Sequence, residues 1–171
     1  MKKTMINYMK SAKNDELYTP AYAVKPLLNY FTTPRTVWCP CDTEDSNIVK
    51  VLREGGHRVI ATHIKDGYDF FNYEPDEPYD IIITNPPYSI KDDIIERCLE
   101  LNKSACLLLP LTALEGVRRG KLWKEHGCSV IVLDQRADFT GKGSCWFNTS
   151  WFCFPQIFNT INFEEIDKND I

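Results

Sequence analysis

Short apolar runs alternate with amphipathic stretches along the chain, the pattern of a sheet covered by helices. Thr19 and Pro20 read as an N-cap and first helical position, opening a helix through Tyr22, Val24, Leu27, Leu28 and Phe31 that stops before Pro34. A strand is predicted at 36–39, then a helix from about Asp45 with Ile48, Val49 and Leu52 on one face, closed by Gly55 and Gly56. Residues 58–64 predict a second strand, and 79–84 a strongly apolar one whose Asp-Ile-Ile-Ile-Thr run suits burial on both faces. A brief strand is also expected near 69–71, although the following Pro-Asp-Glu-Pro is loop-like. Next come a helix at about 91–101, a strand at 105–109, a charged helix at about 116–126, a strand at 129–133 and a late strand at 151–154. This order predicts an α/β fold: a doubly wound, mostly parallel sheet with a late antiparallel strand, whose ligands bind at the carboxyl ends of its strands. Chemistry is therefore expected in the turns after Cys39, Ile64 and Thr84.

Composition narrows the picture. A chain of 171 residues, 43% apolar and 12% aromatic, suits one domain with a substantial core and excludes a disordered chain. The expected organisation is a basic arm at 1–16 carrying Lys2, Lys3, Lys10 and Lys13, a main domain at 17–160, and an acidic, solvated tail at 161–171. No apolar run approaches the roughly 18 residues of a membrane span, and the start lacks a signal peptide's apolar stretch, so a cytoplasmic protein is expected. Seven cysteines, an odd number without a secretion signal, predict free thiols. Cys39 and Cys41 have no second Cys pair or closely spaced His pair to complete a zinc site, so no metal is expected.

Asn85-Pro86-Pro87-Tyr88 follows the most apolar strand directly. Two prolines fix two backbone angles and remove two amide donors, leaving a rigid turn that presents acceptors. Asn85 offers a side-chain oxygen, Pro86 a carbonyl and Tyr88 an aromatic face. That set suits a planar substrate bearing an NH2 group, whose hydrogens go to the acceptors while its ring stacks on the tyrosine. The plain alternative is a proline-rich loop closing a buried strand.

With this motif the chain resembles the S-adenosylmethionine-dependent amino-group methyltransferases, in particular the small phage-type adenine-N6 DNA methyltransferases, over roughly residues 17–154. The resemblance implies a Rossmann-like methyltransferase fold, S-adenosylmethionine as cofactor, and Asn85, Pro86, Pro87 and Tyr88 as the catalytic motif. It implies that Tyr18, Thr19 and Pro20 line the cofactor site, as does the first loop with Cys39, Pro40 and Asp42. That loop departs from the family in having no glycine before Gly55, which leaves Asp42 to take the methionyl ammonium. Helix capping is the competing reading of Asp42, Thr43 and Asp45. Where the family has an acidic residue for the ribose, this chain has His63, otherwise structural, with Asp66 as the acidic alternative. Asp69 and Phe70 are expected at the cofactor's adenine, with an ordinary turn aspartate as the alternative. Phe139 is the implied second face of the base clamp, with Trp146 or Phe147 in reserve and a core role as the alternative.

The reaction this implies is methylation of adenine N6 in DNA, with RNA adenine the main alternative substrate. Protein glutamine, cytosine N4 and a catalytically silent binding subunit are further readings. A net charge of −4 excludes binding by charge alone, so Arg118, Arg119, Lys121, Lys124 and Lys142 are the candidate phosphate contacts beside the lysine arm. A solvated helix face is the alternative for residues 118–124. Without room for a recognition domain, a second subunit or homodimer is expected to help read the target.

Overall fold

The computed structural model describes residues 4–5, 18–141, 143 and 147–169, so the lysines of the basic arm, Lys142 and Trp146 lie outside the described residues. Among the described residues seven strands form one sheet: β1 (Thr36–Cys39), β2 (Arg58–Ala61), β3 (Ile81–Thr84), β4 (Ser104–Pro110), β5 (Ser129–Leu133), β6 (Thr149–Phe154) and β7 (Ile161–Glu164). Their order is β2-β1-β3-β4-β6-β5-β7. Only β6 runs antiparallel to its neighbours, so the doubly wound sheet with its late antiparallel strand has the expected form.

Alternation along the strands divides the core between the two faces. Val37, Ile81 and Ile83 pack on one face with α1 (Ala21–Val24) and α2 (Asn47–Glu54). Trp38, Ile82 and Leu107 pack on the other with α3 (Lys91–Glu100) and with residues of α4 (Val117–His126). α2 begins where Ser46 Oγ accepts a hydrogen bond from Val49 N at 3.2 Å, and it buries Ile48, Val49, Val51 and Leu52.

Four expectations are corrected. The first helix starts at Ala21 with Pro20 as N-cap and tightens into a 3-10 turn at Lys25–Asn29, because Pro26 has no N–H to continue an α-helical ladder. Residues 69–71 form a turn, not a strand: the Asp69 carbonyl accepts from Asn72 N and Tyr73 N, and its side chain accepts from Phe71 N. The acidic tail is not simply solvated, since β7 adds to β5 in parallel register and Ile166 is buried. Tyr30 Oη, at 2.7 Å, and Asn29 Nδ2, at 3.0 Å, donate to the Glu164 carboxylate and hold that strand's end. The thiols are not all free. Cys106 and Cys153 stand directly opposite each other on β4 and β6, with Cα atoms 4.1 Å apart, and are joined as a disulfide.

Two of the basic residues of α4 are engaged within the fold. Arg118 is paired with Asp93 and Glu96 of α3. Arg119 pairs with Asp92 while its guanidinium donates to the carbonyls of Ala113 and Glu115. Both arginines, expected from the sequence to reach phosphates, are thus ion-paired within the fold, while Lys121 is exposed. Arg119 is 13% exposed and ties α3 to the turn before α4, whereas Arg118 is 44% exposed. Arg119→Ala is therefore expected to destabilise by about 2 kcal/mol, and Arg118→Ala by less than about 1 kcal/mol, as read from urea unfolding.

Candidate active site

From β1 the chain crosses to β2 on one side, and from β3 it crosses to β4 on the other. The connections after these adjacent parallel strands therefore diverge, opening a crevice at their carboxyl ends. A cleft of about 220 Å³ lies there, lined by the loop after β1, the start of α2, the turn after β2 and the turn after β3.

The Asn85-Pro86-Pro87-Tyr88 turn forms one wall. Asn85 Nδ2 donates to Thr19 Oγ1 at 3.0 Å, which fixes the plane of the amide. Thr19 uses its other polar group as well, its carbonyl accepting from Asn47 Nδ2 at 2.9 Å. One residue of the segment before α1 thus ties the β3 turn to the start of α2. Lys91 Nζ donates to the carbonyl of Tyr88 at 3.2 Å and braces the turn from the first residue of α3.

The loop after β1 brings Asp42, 7% exposed, into the same lining. Thr84 Oγ1, from the last residue of β3, donates to Asp42 Oδ2 at 2.6 Å across the crevice. Burial pushes the Asp42 carboxyl up to about 6, against hydrogen bonds from Thr84 and Ser46 that favour its ionised form. The result is a largely buried carboxyl in the cleft lining, able to accept a cation or donors. Burial raises the neighbouring Cys41 thiol well above its usual range, so it lines the cleft in its neutral form.

The structure brings Tyr18, Thr19, Asp42, His63 and residues 85–88 to this one cleft. His63 lines it while its Nδ1 accepts from Lys65 N, capping the short turn Ile64–Asp66. Pro20, Cys39 and Pro40 stand outside the lining, Cys39 being fully buried in the core. Asp69 and Phe70 are not brought to it either. The Asp69 carboxylate accepts from Met5 N and Phe71 N, and Phe70 packs against Trp38 with ring centroids 5.2 Å apart. Sequence reasoning passed over Cys41, Ser46, Asn47, Ile64 and Lys65 as lining residues. The signal available for Ser46 and Asn47 was their place at the start of a helix directly after the β1 loop.

Beside the β3 turn, the ring of Phe147 meets Tyr88 edge-on at 5.8 Å, and Phe139 stacks behind Phe147 at 6.4 Å. Phe139 is 6% exposed, so Phe147, held in reserve from sequence, stands nearer Tyr88. Among the described residues no cluster of three or more His, Cys, Asp or Glu is placed to hold a metal, and no helix is long and apolar enough to cross a membrane.

No protein-family model and no curated protein sequence matches the chain. Among solved structures, it resembles a protein of Listeria monocytogenes assigned as a class I S-adenosylmethionine-dependent methyltransferase. That match has a TM-score of 0.55 at 10% identity, covering 98% of this chain and 72% of the other. It also resembles a protein of Vibrio vulnificus assigned as the modification subunit of a type I restriction enzyme, with a TM-score of 0.51 at 14% identity over 88% of this chain. The chain spans about half of that subunit's length, 47%. At these identities the likeness establishes the fold, which is the Rossmann-like methyltransferase fold.

Proposed function

We propose that the protein is an S-adenosylmethionine-dependent methyltransferase acting on the N6 amino group of adenine in DNA. The observation that carries this reading is the juxtaposition, in one cleft at the sheet's switch point, of the rigid Asn-Pro-Pro-Tyr turn and a buried carboxylate.

The cleft's residues fit the cofactor. S-Adenosylmethionine carries an ammonium and a sulfonium, and Asp42 supplies a buried anion beside the end of β3, with Asp45 as a second carboxylate in the lining. The molecule has no phosphate, so the absence of a glycine nest in residues 39–46 does not count against it. Asp42, Ser46 and Asn47 would hold its methionyl end, and His63 and Ile64 would flank its nucleoside. When bound, it supplies an activated methyl group on a positively charged sulfur.

The chain's own contribution is alignment and charge stabilisation. Asn85 and the Pro86 carbonyl accept from the substrate's amino group. They favour the tetrahedral nitrogen whose lone pair points into the cleft, and they stabilise the positive charge that develops there. Tyr88 stacks on the base and offsets part of the few kcal/mol of unstacking, while the rings of Phe147 and Phe139 support it. With Arg118 and Arg119 engaged inside the fold, Lys121, Lys124, Lys142 and the lysine arm are the proposed phosphate contacts.

Incubation with radiolabelled cofactor and a panel of duplex DNA, single-stranded RNA and protein tests the reading. Label on adenine N6 of DNA is expected. Label confined to RNA or protein would replace the substrate, and an absence of both transfer and cofactor binding would overturn the reading. Within that assay, Tyr88→Phe is expected to keep most of the activity. Tyr88→Ala should raise KM for DNA about tenfold to a hundredfold, the worth of one stacked base.

A further inference from the structure

We propose that β7 is a homodimer interface at which two copies of this chain join their sheets edge to edge. Among the described residues the strand is the last in the sheet order, hydrogen-bonded to β5 on one side only. Along the parallel register, Val130 N donates to the carbonyl of Thr160 and Asp134 N to that of Glu164. The alternation of a parallel ladder then turns the main-chain groups of Thr160, Asn162 and Glu164 toward β5. The N–H and C=O groups of Ile161 and Phe163 face outward. Their side chains share one face of the strand and are exposed, Ile161 by 56% and Phe163 by 76%. Such an edge is a template for another strand, and natural edges are usually blunted by lysine, proline or a bulge. β7 carries none of these, and its one charge, Glu164, is held by Asn29 and Tyr30.

The occupant that fits is a second copy, because the edge complements itself. A two-fold axis through Asn162 pairs the strands antiparallel, as a closed dimer requires. Ile161 then lies opposite Phe163 of the second copy, and Phe163 opposite its Ile161, each pair exchanging both main-chain hydrogen bonds. The same register sets Glu164 opposite Thr160 and Glu165 opposite Asn159, so no carboxylate meets another. An in-register parallel pairing would align Glu164 with Glu164 and does not close. Two apolar cross-strand pairs are thus buried without like-charge contact. Antiparallel joining also reverses strand direction, so the two clefts open at opposite ends of the fourteen-stranded sheet.

Sedimentation velocity from low to high micromolar concentration tests the interface. The wild-type chain is expected to shift from monomer to dimer, and Phe163→Lys to raise the dissociation constant at least about tenfold with an unchanged circular-dichroism spectrum. Register is tested by Asn162→Cys, which places two thiols directly opposite on the two-fold axis, within disulfide reach. On a non-reducing gel it should give a covalent dimer above the wild-type background, whereas Ile161→Cys should not. A wild-type chain that stays monomeric throughout, or a dimer that survives Phe163→Lys and is not trapped by Asn162→Cys, would overturn the proposal. So would an edge that binds an extended peptide of other sequence while the chain remains monomeric.

Discussion

Asn85→Ala is expected to lower kcat by about two to three orders of magnitude while leaving the Kd for S-adenosylmethionine within a few-fold. In the proposed reaction the amide acts on an amino nitrogen that becomes positive only as the methyl moves, so its loss would fall on the transition state and not on ground-state binding. The Nδ2 bond to Thr19 Oγ1 fixes the amide plane, and removing that bond alone by Thr19→Val should cost much less, about tenfold. The comparison separates presentation of the acceptor from the acceptor itself. Single-turnover kinetics with cofactor titration checks both, and an Asn85→Ala variant with near wild-type kcat would remove the amide from the mechanism.

Asp42→Asn should move stability and cofactor binding in opposite directions. Burial raises the folded carboxyl from the ordinary 3.8 to about 6, so the folded state prefers it protonated. The unfolded chain ionises first as pH rises. Stability from this group is full below about 3.8 and is lost as pH climbs through about 6; at pH 7 the buried charge costs on the order of 2–3 kcal/mol. Asparagine keeps an oxygen for Thr84 Oγ1 to donate to and carries no charge. The variant is expected to be more stable than wild type at pH 7–8, with the difference vanishing near pH 4, and to bind cofactor at least tenfold more weakly for want of the anion. Urea unfolding across pH and calorimetric titration at pH 7.5 check the two halves; a variant less stable at pH 7.5 would mean that the ionised carboxylate is held by more than the two hydroxyls beside it.

What the sequence made legible was whatever its local pattern determines. The Asp-Ile-Ile-Ile-Thr run could only be a strand buried on both faces, and the two prolines behind Asn85 fixed both the end of that strand and the shape of the turn. Strand β5 was legible to the residue for the same reason. Partners distant in sequence were not legible. Arg118 and Arg119 read as a free basic face because their carboxylates lie 22–27 residues away on another helix. Asp69 looked available to a ligand until Met5, 64 residues away, took one of its oxygens. Phe139 and Phe147 could not be ranked, since only the closed loop shows which ring stands next to Tyr88. β7 hid in its composition: the alternation Ile-Asn-Phe-Glu is a strand pattern, but it lies among acidic residues and its partner β5 ends 28 residues earlier.

The place of β6 in the sheet governs how the protein is made. β6 follows β5 in sequence yet sits between β4 and β5, so the sheet cannot be completed in the order in which the ribosome delivers it. The wholly buried run Ala105–Leu109 has one edge unpaired until residues 149–154 emerge, and β5 cannot dock on it because its seat is reserved for a strand not yet made. The nascent chain therefore presents an apolar, unsatisfied strand edge for the time needed to synthesise some forty residues, roughly 2–8 s at about 5–20 residues per second. During that interval β4 is the segment most exposed to association with other chains, and chaperone demand should concentrate there.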